Sequence, residues 1–170
     1  MTDASPPSYA GVGSRKTPAE LVPVIDHVAG VLVRRGYVLH SGGADGFDSM
    51  IERSHRGAGG LEPSIFLPWP AFNGHRSRLF TPPLHAFEIA ATIHPAWDRL
   101  TSGARKLHAR NVQQVLGVDL QTPVAFVVCW TPGGRAEGGT ATAIKLAERH
   151  RILIHNLAHE SVRAYWLRQK

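Results

Sequence analysis

The feature that most constrains the fold of this chain is a regular alternation of short apolar runs with longer amphipathic segments. Val, Ile, Phe and Tyr are frequent in the runs, and two runs are almost continuously apolar, as strands buried on both faces of a sheet are. The five runs are SYAGVG, YVLHSG, SIFLPW, VAFVVCW and ILIHNL. Because strands that alternate with helices form parallel sheets, the pattern predicts an α/β fold: a doubly wound, mainly parallel sheet of about five strands flanked by helices.

The segments between the runs have helical spacing. The first predicted helix spans about residues 19–35. Thr17 and Glu20 suit a capping box with Pro18 at the first helical position, whereas Pro23 implies a kink or a later start. Further helices are predicted at about 45–56 and 139–150, and over the tail SVRAYWLRQK, docked through Tyr165, Trp166 and Leu167.

With 170 residues the chain is expected to form a single domain, 1–170. The segment at about 70–117 is longer than a standard crossover: it opens with the loop PAFNGHRSRLFTPP and continues in helical stretches near 84–93 and 103–116. Long excursions of this kind often cover a binding site. A doubly wound order places the first and fourth strands side by side, so the loops after strands one, two and four should converge on a ligand.

Those three loops, GVGSRK, SGGADGFD and TPGGRAEGGT, are rich in glycine. Glycine lets backbone N–H groups approach a phosphate, and hydroxyl and arginine side chains add donors. The alternative is that glycine serves here only as the usual turn residue. The residues of these loops predicted to bind the ligand or its phosphate are Gly11, Gly13, Ser14, Arg15, Ser41, Gly42, Gly43, Ala44, Asp45, Asp48, Thr131, Gly133, Gly134, Arg135, Gly138, Gly139 and Thr140.

Several classes of function are disfavoured by what the sequence lacks. Lys16 stands where the dinucleotide-binding fingerprint has its third glycine, and no G-x-x-x-x-G-K-[ST] motif is present. The histidines have no recognisable metal spacing, so we expect no metal and no cofactor. Cys129 is expected to be a core residue. The N-terminus MTDASPPS has no signal pattern and no run is long enough for a membrane span, so a cytoplasmic protein is expected.

Other candidates flank the glycine loops. Asp45 and Asp48 either favour the helix dipole or a cap, or accept a ribose hydroxyl or hold a metal or water. Asn73 follows Trp69 and Phe72, aromatic residues that either stack on nucleobases or fold back on the core. Arg76 and Arg78 are candidates for contacts to backbone phosphates. His108, Arg110 and Asn111 either line the site or form a solvated helix face.

Three stretches resemble a known family. GVGSRKTP, SGGADGFDSMIERSH and GGRAEGGTATAIKLA are similar to the SLOG superfamily, which includes the DprA/Smf DNA-processing proteins and the LOG phosphoribohydrolases. FLPWPAFNG and LHARNVQQVLG resemble the small DprA-like proteins of bacteriophages. The resemblance covers nearly the whole chain. It implies a Rossmann-like fold, a nucleotide or single-stranded DNA ligand and a possible homodimer.

The sequence also departs from these relatives. LOG enzymes carry P-G-G-x-G-T-x-x-E, in which the glutamate assists cleavage of an N-glycosidic bond, but that position is Ala143 here. Arg110 matches an arginine that those enzymes use, and Glu137 is a candidate substitute for the missing glutamate. DprA proteins usually carry extra domains, for which 170 residues leave no room.

A formal charge of +6 favours an anionic partner. The leading hypothesis is therefore a DprA-like protein that binds single-stranded DNA. The alternative is a pocket for a small nucleotide derivative, such as an ADP-ribose-like ligand or a nucleoside monophosphate, which the protein senses, sequesters or hydrolyses. A third hypothesis, a partner-binding adaptor, would leave the glycine loops empty.

Overall fold

The structure is a computed structural model that describes residues 5–170. A parallel sheet forms the centre of the protein. Its strands are β1 (Ser8–Gly11), β2 (Val38–Ser41), β3 (Ser64–Ile65), β4 (Phe126–Cys129) and β5 (Leu153–Asn156). They lie in the order β3-β2-β1-β4-β5, and every neighbouring pair is parallel. The predicted doubly wound α/β fold with about five strands is confirmed.

Six α-helices cover the two faces of this sheet. They are α1 (Val22–Arg34), α2 (Phe47–Gly57), α3 (Leu84–Ala91), α4 (Ser102–Leu116), α5 (Ala141–Arg149) and α6 (Glu160–Leu167). One core contains buried residues of α1, α2 and α6, and the other contains buried residues of α3, α4 and α5. Consecutive strand residues alternate between these cores, as Tyr9 and Ala10 do, because side chains along a strand point to opposite faces.

The strand order reverses between β1 and β4, where the register pairs Gly11 with Val128. The chain stays close to β4 after β1 ends, since the Ser14 N–H donates to the Trp130 carbonyl at 3.0 Å. The first and fourth strands therefore lie side by side, as predicted, and their following loops begin at the same edge of the sheet.

The start of the first helix differs from the capping-box prediction. Residues 19–21 form a 3₁₀ turn, α1 begins at Val22, and Pro23 occupies its first turn, where a missing N–H costs nothing. Thr17 does not cap the helix, because its hydroxyl donates to the Ser14 carbonyl at 2.7 Å and so closes the loop after β1. The later start implied by Pro23 is confirmed.

The other helix boundaries differ by smaller amounts. Asp45 lies before α2 rather than in it, because Gly46 adopts a φ of 79° and ends the loop there. Helix α6 docks through Trp166, which is 2 % exposed, whereas Tyr165 and Leu167 are 42 % and 53 % exposed. The prediction that all three dock is wrong for Leu167, because neighbouring residues of a helix point about 100° apart. Tyr165 is partly exposed but stacks on His155 with ring centroids 5.8 Å apart.

Three further observations bear on the sequence predictions. Cys129 is buried in the core, as expected. Within residues 5–170, no helix is both long and apolar enough to cross a bilayer, and no group of three or more His, Cys, Asp or Glu side chains is placed to hold a metal ion. Residues 1–4, which belong to the stretch considered for a signal pattern, lie outside the described residues.

Candidate functional site

A cleft of about 620 Å³ opens beyond the carboxyl ends of β1 and β4. All three glycine-rich loops contribute to its wall, so the predicted convergence is confirmed. The predicted site residues that line the cleft are Gly13, Ser14, Arg15, Ala44, Asp48, Arg110, Asn111, Gly138, Gly139 and Thr140.

The remaining predicted residues are absent from the wall of the cleft. They are Gly11, Ser41, Gly42, Gly43, Asp45, Asn73, Thr131, Gly133, Gly134 and Arg135. Several of them instead hold the elements that shape the cleft, as described below.

The cleft wall also contains residues that were not among the predicted ligands. Ala104 and Leu107 lie on the same face of α4 as His108 and Asn111, at the spacing i, i+3, i+4 and i+7 of a helix. Helical spacing counted back from the candidates His108 and Asn111 would have identified Ala104 and Leu107 from the sequence. Val12, Lys16, Pro132 and Glu137 complete the set and lie in or directly beside the loops already singled out.

Asp48 joins the first two glycine loops. Its Oδ1 accepts the Gly13 N–H at 3.2 Å and its Oδ2 accepts the Gly42 N–H at 3.0 Å. The side chain is only 2 % exposed although Asp48 lines the cleft. Both carboxylate oxygens are therefore engaged in holding the ends of β1 and β2 in place, which the helix-dipole interpretation did not anticipate.

The surroundings of Asp48 oppose its ionisation. Burial raises its pKa to about 6 and the Glu52 charge adds to this, while Arg110 and the two backbone N–H groups act in the opposite direction. Burial likewise lowers the pKa of Arg110 to about 10, although Asp48 counteracts this effect. The floor of the cleft thus contains a buried cation and a buried acid that stabilise each other's charged forms.

Arg110 is only 4 % exposed, and its guanidinium is bound by the protein itself. Its Nη1 donates to the Gly42 carbonyl, and its Nε donates to Asn111 Oδ1 at 3.0 Å. The Phe72 ring centroid lies 5.6 Å from its Cζ, within cation–π range. Arg110 therefore contributes a fixed positive field to the cleft and has little freedom to reach out to a ligand.

Two cations remain exposed at the cleft. Arg15 and Lys16 follow Ser14 in the loop after β1, and both are exposed to solvent and line the cleft. Arg135 was predicted to share this role, but its Nε lies 3.6 Å from Glu137 Oε2, which offsets its charge. The structure thus leaves Arg15 and Lys16 as the exposed cations of the cleft wall.

Asn111 connects α4 to the third glycine loop. Its Nδ2 donates to the Gly139 carbonyl at 2.7 Å. Gly138 and Gly139 are themselves exposed, and open space stands where a Cβ would be at either position. The backbone of this loop can therefore be approached closely from the cleft.

Ser41 and Gly43 fix the position of the second glycine loop through hydrogen bonds. The Ser41 hydroxyl donates to Glu52 Oε1 at 2.6 Å, and Glu52 Oε2 lies 3.7 Å from His75 Nε2. The Gly43 carbonyl accepts from Asn73 Nδ2 at 3.0 Å. Both Asn73 and His75 belong to the long excursion, so these contacts fasten the excursion to the cleft.

Thr131 and Gly134 lie on the β5 side of the third loop. The Thr131 hydroxyl accepts from Asn156 Nδ2 at 2.7 Å, and a Cβ at Gly134 would overlap the His159 ring. These contacts set the path of the loop between β4 and α5. They place both residues behind the cleft wall.

Of the two aromatic residues considered for base stacking, one is buried in the core and the other is partly exposed. Phe72 is 7 % exposed and packs with Ala44, Ile65 and Leu67, so it folds back on the core. Trp69 is 36 % exposed, stands edge-on to Phe72 at 5.1 Å, and its Cζ3 lies 3.9 Å from a Cβ built at Gly103. Trp69 therefore lies beside Gly103 at the start of α4.

A parallel α/β sheet with a polar cleft at its reversal point is typical of nucleotide-binding Rossmann-like proteins. The structure is similar to two structures of DNA processing protein A (DprA). That from Helicobacter pylori, described for its unique single-stranded DNA binding mode, has a TM-score of 0.55 and 16% sequence identity, over 88% of this chain and 64% of that chain. That from Streptococcus pneumoniae has a TM-score of 0.55 and 17% identity, over 87% and 49%.

These similarities show that the chain has a DprA-like Rossmann fold. It spans about two thirds and one half of the lengths of those two chains. Comparison with protein-family models and with curated proteins finds no match.

Proposed function

We propose that this protein binds single-stranded DNA in the cleft beyond β1 and β4, with phosphates at Gly138 and Gly139 of the third glycine loop and at Arg15 and Lys16. The observation that carries the proposal is the placing of two exposed cations beside accessible glycine backbone at the reversal point of the sheet. Phosphate oxygens are suited to such a site, because backbone N–H groups approach them closely and cations pair with their charge.

The excursion supplies a surface for bases. Trp69 exposes part of its indole beside the start of α4, and aromatic faces stack on bases of any sequence. Arg76 and Arg78 are exposed on the same excursion and are proposed to contact backbone phosphates further along the strand. The description of the H. pylori protein as a binder of single-stranded DNA supports this assignment.

N-glycosidic cleavage has less support in the cleft. Ala143, at the position of the catalytic glutamate in LOG enzymes, is fully buried. The nearby carboxylate on the cleft wall is that of Glu137, and it lies 3.6 Å from Arg135 Nε. These observations argue against hydrolysis, whereas binding of a small nucleotide is distinguished by the experiment below.

The first prediction concerns Arg15. Fluorescence anisotropy with a labelled thymidine oligonucleotide should show binding that weakens steeply with salt, because bound cations release counterions from the strand. Arg15→Ala should weaken binding by about fivefold to tenfold and reduce the slope of log K against log salt by about 0.7.

Arg168→Ala is the matched control. Arg168 is exposed, and its neighbour Gln169 bonds to Arg35 at the end of α1, away from the cleft. This variant loses the same charge and should bind as the wild type does. Equal losses in both variants would point to net charge alone, and absence of binding by folded wild type at low salt would overturn the proposal. Binding of a mononucleotide or of ADP-ribose with no oligonucleotide binding would favour the alternative.

A further inference from the structure

A second cavity of about 410 Å³ adjoins the cleft. His108, Glu137 and Gly138 line both spaces, so the two are separated only by this shared wall. The remaining lining comes from Ala136 of the third glycine loop, from the turn after α3 and from the first two turns of α5. A DNA strand bound in the cleft can therefore continue past these shared residues into the second cavity.

The polar side of the second cavity carries one exposed cation. Lys145 lines it one helical turn after Thr142, and Lys145 is exposed. Thr142 Oγ1 lies 2.7 Å from His108 Nδ1, which holds the imidazole in the shared wall. Burial and the neighbouring His94 lower the pKa of His108 to about 4, so this ring is neutral near pH 7. Lys145 is therefore the side chain of this cavity that can neutralise a phosphate.

The part of the lining that comes from the turn after α3 is mostly apolar. Ile93, His94 and Pro95 form it, and the His94 ring stands edge-on to His108 with centroids 4.6 Å apart. A flat ring packs well against such a surface. Glu137 adds a negative charge to the shared wall, but Arg135 lies close enough to offset it. The cavity thus combines a surface for a base with a cation for a phosphate.

We propose that the second cavity binds the nucleotide adjacent to the one held in the cleft, so that the site recognises at least two consecutive nucleotides of one strand. This inference rests on the proposed function. It assigns Lys145 to the second phosphate and the surface of Ile93, His94 and Pro95 to the second base. It also predicts that a mononucleotide fills the cleft alone.

The test compares thymidine 5′-monophosphate, the dinucleotide pdTpdT and a thymidine decamer, each titrated into isotopically labelled protein and followed by NMR. The amide signals of Ser14 and Thr140 should shift with all three ligands, whereas those of Thr142 and Lys145 should shift with the dinucleotide and decamer only. Lys145→Gln should weaken decamer binding by about threefold to tenfold and leave mononucleotide binding unchanged.

A second variant places a negative charge at an exposed position of the second cavity. Ala136 is exposed and lines only the second cavity, so Ala136→Glu should repel a phosphate there without disturbing the core. Ala125→Glu, at an exposed position just before β4 and at the opposite edge of the sheet, is its control. Weakening by Ala136→Glu and not by Ala125→Glu supports the second subsite.

The outcomes separate this inference from the proposed function. If the wild type binds the decamer and both Lys145→Gln and Ala136→Glu bind it with the same affinity, the second subsite is overturned and DNA binding in the cleft stands. Equal weakening of mononucleotide and decamer would also overturn it, because the two cavities would then act as one. Wild type that binds no DNA would overturn both.

Discussion

Asp48 is the residue on which the geometry of the cleft depends most directly. One carboxylate accepts N–H groups from the loops after β1 and β2, and no amide side chain can do the same with both of its atoms. An Asn at this position would present an NH₂ group to one of the two backbone donors. The arrangement keeps a buried acid in the protein in spite of the desolvation that burial imposes on its charged form.

Asp48→Asn tests this arrangement through the pH dependence of stability. The pKa of Asp48 is raised from 3.8 to about 6 in the folded protein, so the native state holds this proton more tightly than the unfolded state does. Protonation therefore stabilises the fold at low pH, and this contribution is lost as the pH rises from about 4 to about 6. The free energy of unfolding of the wild type, relative to Asp48→Asn, should fall by about 2 kcal/mol over that range.

Urea unfolding at several pH values between 4 and 7.5 measures this difference. Asp45→Asn is the control, since Asp45 is exposed and precedes the same helix. It should show no comparable change relative to the wild type. A wild-type advantage over Asp48→Asn that grows with pH would contradict the assigned pKa shift.

At the scale of elements, α6 illustrates how one residue docks a helix. Trp166 is the buried side chain of α6, and it packs against Phe126 and His155 at centroid distances of 6.1 and 5.1 Å. His27 on α1 also bonds to the Trp166 carbonyl at 3.1 Å. The helix is thereby held against α1 and the β5 edge of the sheet.

Trp166→Ala should lower the free energy of unfolding by about 3–5 kcal/mol, because it removes a large buried side chain and leaves a cavity. Tyr165→Ala, at the exposed neighbouring position, should cost under about 1 kcal/mol. Denaturant midpoints of the two variants measure the contrast. Similar losses in both would contradict the dominant role of Trp166 in docking α6.

The elements that the sequence predicted best are those with a strong period. The five strands and the helices of the excursion are present because apolar runs and amphipathic spacing act locally. The capping box at Thr17 failed because a long-range requirement competed for its hydroxyl, which closes the loop above β1. Local patterns do not reveal such competition, since the competing partner is chosen by the folded arrangement.

At the scale of the whole molecule, the order of the strands sets which part unfolds last. Strands β1 and β4 are central and paired on both sides, whereas β3 has two residues and lies at an edge. Hydrogen exchange should therefore be slowest for the amides of Ala10, Gly11, Val127 and Val128, which require global unfolding. Exchange at Ser64 and Ile65 should be faster. Equal protection of β3 and β1 would contradict this order.

The location of the cleft was predictable in the same way, because topology brings the three glycine loops to one edge whatever their details. The roles of single residues within it were not. Gly42, Thr131 and Asn73 resemble ligands in the sequence, yet each is engaged by another part of the chain. A sequence shows which groups can bind a phosphate, and only the packed structure shows which of them are already occupied.

The contact between Gly42, Arg110 and Phe72 has a consequence for how such a chain can diverge. The Arg110 guanidinium fills the space in which a side chain at position 42 would stand, and the Phe72 ring covers the same cation. A larger residue at 42 therefore requires both Arg110 and Gln114 to shift or be shortened, and a shorter residue at 110 would leave the ring at 72 without its partner. Homologous sequences should therefore keep the residues at positions 42, 72 and 110 together or change them together.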